Sequence, residues 1–220
     1  GDFFVQLRDF RFQGGAGYTY RLVAGALPYV DSLFPFGGQR GQATEVRLRG
    51  RNLDEAGPMR LAIAPDAPLG PQEVWLHTSR GFANARVFDV GDTPEFLEAE
   101  PNNTTNQANV IQVPISINGQ IQGEKDIDTF KFKVESGQYW VFEVLANRFG
   151  SPLDPLLTLS DNQGNVRQRN DDAVGADARL EQAFGAAGEY SLSIRDLLER
   201  GGEGFGYRLT VRAPQPDFAA

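Results

Sequence analysis

The chain has 220 residues, no cysteine, one histidine and a formal net charge of -8, which excludes a disulfide framework, cysteine-based zinc or redox centres and a broad basic face for nucleic acid. The acidity is uneven: residues 1–91 carry ten Lys and Arg against nine Asp and Glu, residues 92–220 eleven against twenty. An acidic second half suits cation binding or a solvated surface. No apolar run approaches the ~18 residues of a membrane span, and the opening on Gly1, with Met59 the single methionine, is expected of an internal, soluble excerpt.

In chain order, residues 1–27 come first, and they contain half of an internal repeat. Residues 5–22 (VQLRDFRFQGGAGYTYRL) match residues 192–209 (LSIRDLLERGGEGFGYRL) without a gap at an offset of 187, with eight of eighteen positions identical. Arg8-Asp9 falls on Arg195-Asp196, Gly14-Gly15 on Gly201-Gly202, and Tyr20-Arg21-Leu22 on Tyr207-Arg208-Leu209. The expectation is a β-hairpin that closes one module and recurs in the next. As a lone hairpin it is marginal in water, so it should pack on the following unit, pair with another chain, or fray.

Residues 28–91 read as a small immunoglobulin-like sandwich. Val46 and Leu48 alternate with Glu45, Arg47 and Arg49; Leu61 and Ile63, Val74 to Thr78 and Arg86 to Val90 supply further short strands. Gly91-Asp92-Thr93-Pro94 reads as a linker. Residues 92–220 are then a second, larger sandwich. Phe130, Phe132 and Val134 alternate with polar residues, as do Trp140, Phe142 and Val144, then Tyr190, Leu192 and Ile194, then Phe205, Tyr207, Leu209 and Val211. Period-two patterns of this kind make half-buried antiparallel strands with the polar alternates in water. The fold class is therefore all-β: two β-sandwich domains behind an N-terminal β-hairpin.

Two acidic clusters carry candidate chemistry. Glu98, Glu100, Asn102 and Asn103 place four side-chain oxygen donors within six residues, and Asp126 and Asp128 open the strand of Phe130. Calcium takes six to eight such oxygens; the alternative is that these are turn and cap residues. Asn170-Asp171-Asp172 with Asp177 forms the second cluster, either a further ion site or a solvated loop. Catalysis is not expected. His77 lies in a strand without a nucleophile motif, Asp171 and Asp172 are adjacent and point apart, and Gly201-Gly202-Glu203-Gly204 precedes a strand where a phosphate loop needs a helix.

Residues 95–212 resemble the bacterial pre-peptidase C-terminal (PPC) domain, a jelly-roll-like sandwich, on Glu98-Ala99-Glu100-Pro101-Asn102-Asn103, Gln107-Ala108-Asn109, Gly119-Gln120-Ile121, Asp126-Ile127-Asp128-Thr129-Phe130-Lys131-Phe132, Gly150-Ser151-Pro152-Leu153-Asp154-Pro155, Asn170-Asp171-Asp172 and Gly188-Glu189-Tyr190. Residues 28–91 resemble an IPT/TIG-type domain on Leu33-Phe34-Pro35-Phe36-Gly37-Gly38-Gln39-Arg40-Gly41 and Val46 to Leu53. The PPC resemblance implies that the first acidic segment folds over the second to share one calcium ion, with the choice among Glu124, Asp126 and Asp128 open. It further implies a non-catalytic accessory module of a secreted, surface or periplasmic bacterial protein. Its partners would be other domains of the same chain, or an extracellular polymer or peptide. The alternative is a ligand-binding domain for a collagen-like polypeptide or a carbohydrate, with Tyr139 a candidate contact.

Overall fold

The computed structural model describes residues 1–53, 58–75 and 77–215. Among the described residues of 29–91 eight short strands form: β1 (Tyr29–Phe34), β2 (Gly37–Gln39), β3 (Ala43–Arg51), β4 (Met59–Ala62), β5 (Gly70–Val74), β6 (His77–Thr78), β7 (Gly81–Phe82) and β8 (Arg86–Gly91). They make two three-stranded sheets, β1-β3-β4 and β2-β8-β5, and the small pair β6-β7. Leu33, Phe36, Val46, Ile63, Phe88 and Val90 are buried between them. Of the expected strand Val74 to Thr78, Leu76 lies outside the described residues, as do the last five residues of the expected 92–220 domain.

Ten strands follow: β9 (Glu95–Leu97), β10 (Asn109–Val110), β11 (Ile115–Gln120), β12 (Asp128–Val134), β13 (Tyr139–Leu145), β14 (Pro155–Asp161), β15 (Val166–Asn170), β16 (Arg179–Ala183), β17 (Gly188–Asp196) and β18 (Gly206–Arg212). They form two five-stranded sheets, β10-β12-β17-β14-β15 and β16-β13-β18-β11-β9. The alternating apolar residues face one another across the layer: Phe130, Phe132, Leu157, Leu159, Leu192 and Ile194 join Phe142, Val144, Leu209 and Val211 in one core. Each such side chain removed from water stabilises the fold by about 1.5–3 kcal/mol before entropy is counted, so this inner layer is what the sandwich stands on.

The link between β17 and β18 is not the hairpin the sequence predicts. β17 lies at the centre of one sheet, between β12 and β14, and β18 at the centre of the other, between β13 and β11. The connection is an arch that carries the chain from sheet to sheet. Asp196, fully buried at its base, holds it: Oδ2 accepts from the N–H groups of Leu198 and Arg200 and from the Arg200 guanidinium, and Oδ1 accepts from the N–H of Asp154. Gly201 is required where the arch passes Gly123, because a Cβ there would stand 2.1 Å from the Gly123 carbonyl oxygen.

The polar alternates of β18 are not all in water either. Arg208 is completely buried. Its Nε donates to Asp89 of β8 at 2.8 Å, and its two terminal nitrogens donate to the Glu95 carboxylate at 2.7 Å each. Gly37 of β2 packs directly on this guanidinium. Leu145 and Phe149 of the large sandwich join the core of residues 29–91, where Phe36 and Phe149 have ring centroids 6.0 Å apart. Asn118 closes the junction by accepting from Phe36 N–H and donating to Glu95. The two units therefore share one buried seam.

Residues 1–28 form no strand, in contrast to the hairpin expected there. The reason is the arch: the two arms of this segment correspond to strands that sit in opposite sheets, so they have no ladder to make with each other.

Candidate metal centre

The acidic segment after β9 is fastened over the edge of the large sandwich by its own backbone. Glu98 N–H donates to the Asn118 carbonyl, Asn109 forms a reciprocal amide pair with Ala99, and Thr129 N–H donates to the Asn102 carbonyl. These tethers bring Glu98, Glu100 and Asp128 together, each with a carboxylate oxygen within 4.8 Å of the other two. Asn102 N–H donates to Glu100 at 2.9 Å, and the Asn102 side chain is wholly buried with neither its oxygen nor its nitrogen partnered. The buried Asp128 Oδ1 is likewise unpartnered.

A phenol completes the group. Tyr207 of β18 donates to Asp128 Oδ2 at 2.6 Å and lies 3.1 Å from Glu98 Oε2. Gly119 of β11 makes room for it, because a Cβ there would approach the phenol oxygen to 2.2 Å and Glu98 Oε2 to 2.6 Å. Burial, then the hydrogen bond and charge of Glu98, push the Asp128 carboxyl up to about 10. Burial also raises Glu98 and Glu100, assisted by the charge of Glu100 on the former and of Asp126 on the latter. Tyr207 is raised well above the ordinary tyrosine range, by burial first and then by the two carboxylates. Such a cluster holds a proton unless a cation replaces it.

Not every candidate converges. Asn103 and Glu124 are exposed. Asp126 is buried beside the trio but its Oδ2 accepts from Gln122 N–H at 2.6 Å, closing the turn before β12. In the second cluster Asp177 is committed elsewhere: it accepts from the N–H groups of Ala146, Asn147 and Arg148 and from the Arg148 side chain, capping a short 3-10 turn. Asp171 and Asp172 bear on Asp154, whose carboxyl is raised by burial and then by the charge of Asp172. His77 is exposed, its ring 4.8 Å from that of Phe82 in the small unit.

Sequence reasoning missed Tyr207, Gly119 and Arg208. Two signals were available. A glycine inside a strand often marks close approach by another group, and a buried tyrosine generally needs a partner for its hydroxyl.

No protein-family profile matches the chain, and no curated protein matches it. Among solved structures it is similar to the pre-peptidase C-terminal domain of collagenase from Bacillus anthracis, with TM-score 0.41 and 20% identity, covering 52% of this chain and 100% of that one. It is also similar to PliG of Aeromonas hydrophila, a periplasmic inhibitor of g-type lysozyme, with TM-score 0.33 and 14% identity over 54% of this chain and 99% of that one. PliG of Salmonella Typhimurium follows, with TM-score 0.28 and 11% identity over 54% and 98%.

Proposed function

We propose that the large sandwich is a calcium-supported, non-catalytic accessory module of a secreted, surface or periplasmic bacterial protein, and that residues 29–91 are a spacer presenting it. The observation that carries this is the buried amide of Asn102, unpartnered at both ends beside the carboxylates of Glu98, Glu100 and Asp128. A donor set made only of carboxylate and amide oxygens suits a hard divalent cation and not a soft one. Glu98, Glu100, Asp128 and Asn102 would hold the ion, with backbone oxygens or water supplying the remainder; Asp126 and Asn103 stand outside this set.

The ion's work would be mechanical. Glu98 and Glu100 lie just beyond Glu95, which grips Arg208 at the seam, while Asp128 opens β12. One cation would tie the lead-in segment to the sandwich and stiffen the junction with the small unit. Extracellular calcium modules commonly bind at ~10⁻⁴–10⁻³ M, and at ~1 mM calcium linkage supplies about 0.4–1.4 kcal/mol. The polymer-binding alternative has thinner support. Tyr139 is the exposed aromatic on the large sandwich among the described residues, and its phenol is bound to Glu181 at 2.6 Å.

Melting curves with about 1 mM calcium and with chelator test the reading: the midpoint should rise by about 1–5 °C with calcium. Glu100→Gln and Asn102→Ala should each abolish the rise. Identical wild-type curves in the two conditions would remove calcium from the account.

A further inference from the structure

The turn at residues 9–18 reproduces the arch at residues 196–205 although its arms have no sheet. Asp9 Oδ1 accepts from the N–H groups of Arg11 and Gln13, as Asp196 Oδ2 does from Leu198 and Arg200. Phe12 N–H donates to the Asp9 carbonyl and Glu199 N–H to the Asp196 carbonyl; Tyr18 N–H donates to the Gly15 carbonyl and Phe205 N–H to the Gly202 carbonyl. Phe12 and Glu199 take the same left-handed conformation, at φ 57° and 58°. Even the flanking arginines match in reach, Arg8 lying over the Phe12 ring and Arg195 beside Glu199.

The matching apolar positions of the arms have opposite surroundings. Leu192, Ile194, Tyr207, Arg208 and Leu209 are fully buried, whereas Val5, Leu7, Tyr20, Arg21 and Leu22 are exposed. In the large sandwich the arms of the arch have two neighbouring strands each, β12 and β14 on one side and β13 and β11 on the other. A single exposed sheet edge therefore cannot satisfy residues 3–23. They need a sandwich whose two central slots are empty.

We propose that residues 1–25 are the central arch of a preceding copy of the whole two-unit body, encoded upstream in the same chain. In that body Tyr20 would donate to a carboxylate pair as Tyr207 does, and Arg21 would clamp a seam as Arg208 does. The second role requires the preceding sandwich to follow a small unit of its own, because Asp89 of β8 is half of the Arg208 clamp. A second copy of this chain is not the occupant, since its own β17 and β18 fill those slots. This inference does not depend on whether Glu98, Glu100 and Asp128 hold a cation.

The test has two parts, and the first needs no folded protein. Asp128 and Glu98 stand 79 and 109 residues before Tyr207, and Asp89 and Glu95 stand 119 and 113 before Arg208. The reading frame upstream of Gly1 should carry Asp or Glu at these distances before Tyr20 and Arg21, to within about three residues, in segments of strand-like alternation. An upstream frame without them overturns the proposal. The second part is amide hydrogen exchange on this chain and on the chain extended upstream by about 190 residues. Exchange at Val5, Leu7, Tyr20 and Leu22 should slow by about a hundredfold or more in the longer chain. Equal rates in the two chains, or protection in the short chain that grows with its concentration, would each defeat it, the latter by pointing to a second copy.

Discussion

Residues 5–22 and 192–209 are two tellings of one sequence pattern, and their difference separates local from non-local stability. The turn forms in both, because an aspartate that accepts from the N–H groups two and four residues on, together with Gly-Gly further along, needs nothing from the rest of the chain. The strands form in one only. An extended arm gains its hydrogen bonds and its burial from neighbours, and where the neighbours are lacking the matching apolar positions stand in water.

The pair Arg208 and Arg21 gives that contrast its largest expected effect. Arg208→Ala leaves Asp89 and Glu95 facing each other across the seam without their cation, and removing one member of a buried ion pair costs about 3–5 kcal/mol. Arg21→Ala, on an exposed residue, should change the stability of this chain by less than about 0.5 kcal/mol. Urea unfolding of the two variants beside the wild type measures both. Equal losses would mean that Arg21 already has a partner in this chain.

The inner layer was legible in the sequence because period-two alternation maps directly onto the two faces of a strand: Phe130, Phe132, Trp140, Phe142, Leu192 and Leu209 all lie inside. Arg208 was not, because alternation assigns every opposite residue to water and knows nothing of a second unit covering that face. The repeated Tyr-Arg-Leu in both copies was the signal that the arginine belongs with its buried neighbours. The arch was misread for a related reason. Gly201-Gly202 announces that the chain turns, not which sheet it turns into. The nine-residue connection between β17 and β18 was the warning, hairpin loops being mostly two to five residues. Around the acidic cluster, spacing grouped Asn102 with Asn103 and Asp126 with Asp128. Backbone demand then divided each pair: Asn102 is drawn inside by its carbonyl's bond to Thr129 while Asn103 stays exposed, and Asp126 closes a turn.

Gly119→Ala sharpens the same contrast at Tyr207, with a smaller effect. The added methyl falls on the phenol and on Glu98 Oε2, so either β11 or β18 must shift, and overpacking of this kind typically costs about 1–3 kcal/mol. Tyr207→Phe in the same background should recover part of the loss, since it removes the oxygen that the methyl meets. No recovery would place the strain against Glu98 instead.

The smallest effect concerns the base of the arch, and its signature is a pH dependence. Burial alone would raise the Asp196 carboxyl, but the Arg200 guanidinium and the N–H groups of Asp154 and Arg200 outweigh it and hold Asp196 below the ordinary carboxylate range. A carboxyl depressed in the folded state contributes stability that is complete above its unfolded value of about 3.9 and disappears as pH falls through the lower folded value. Asp196→Asn keeps an acceptor for the arch but loses the charge that Arg200 faces. Wild type and variant should therefore differ most above pH ~5 and converge toward pH ~2. Unfolding curves across that range decide it; a constant gap between them would show that the arch depends on the shape of the Asp196 side chain and not on its ionisation.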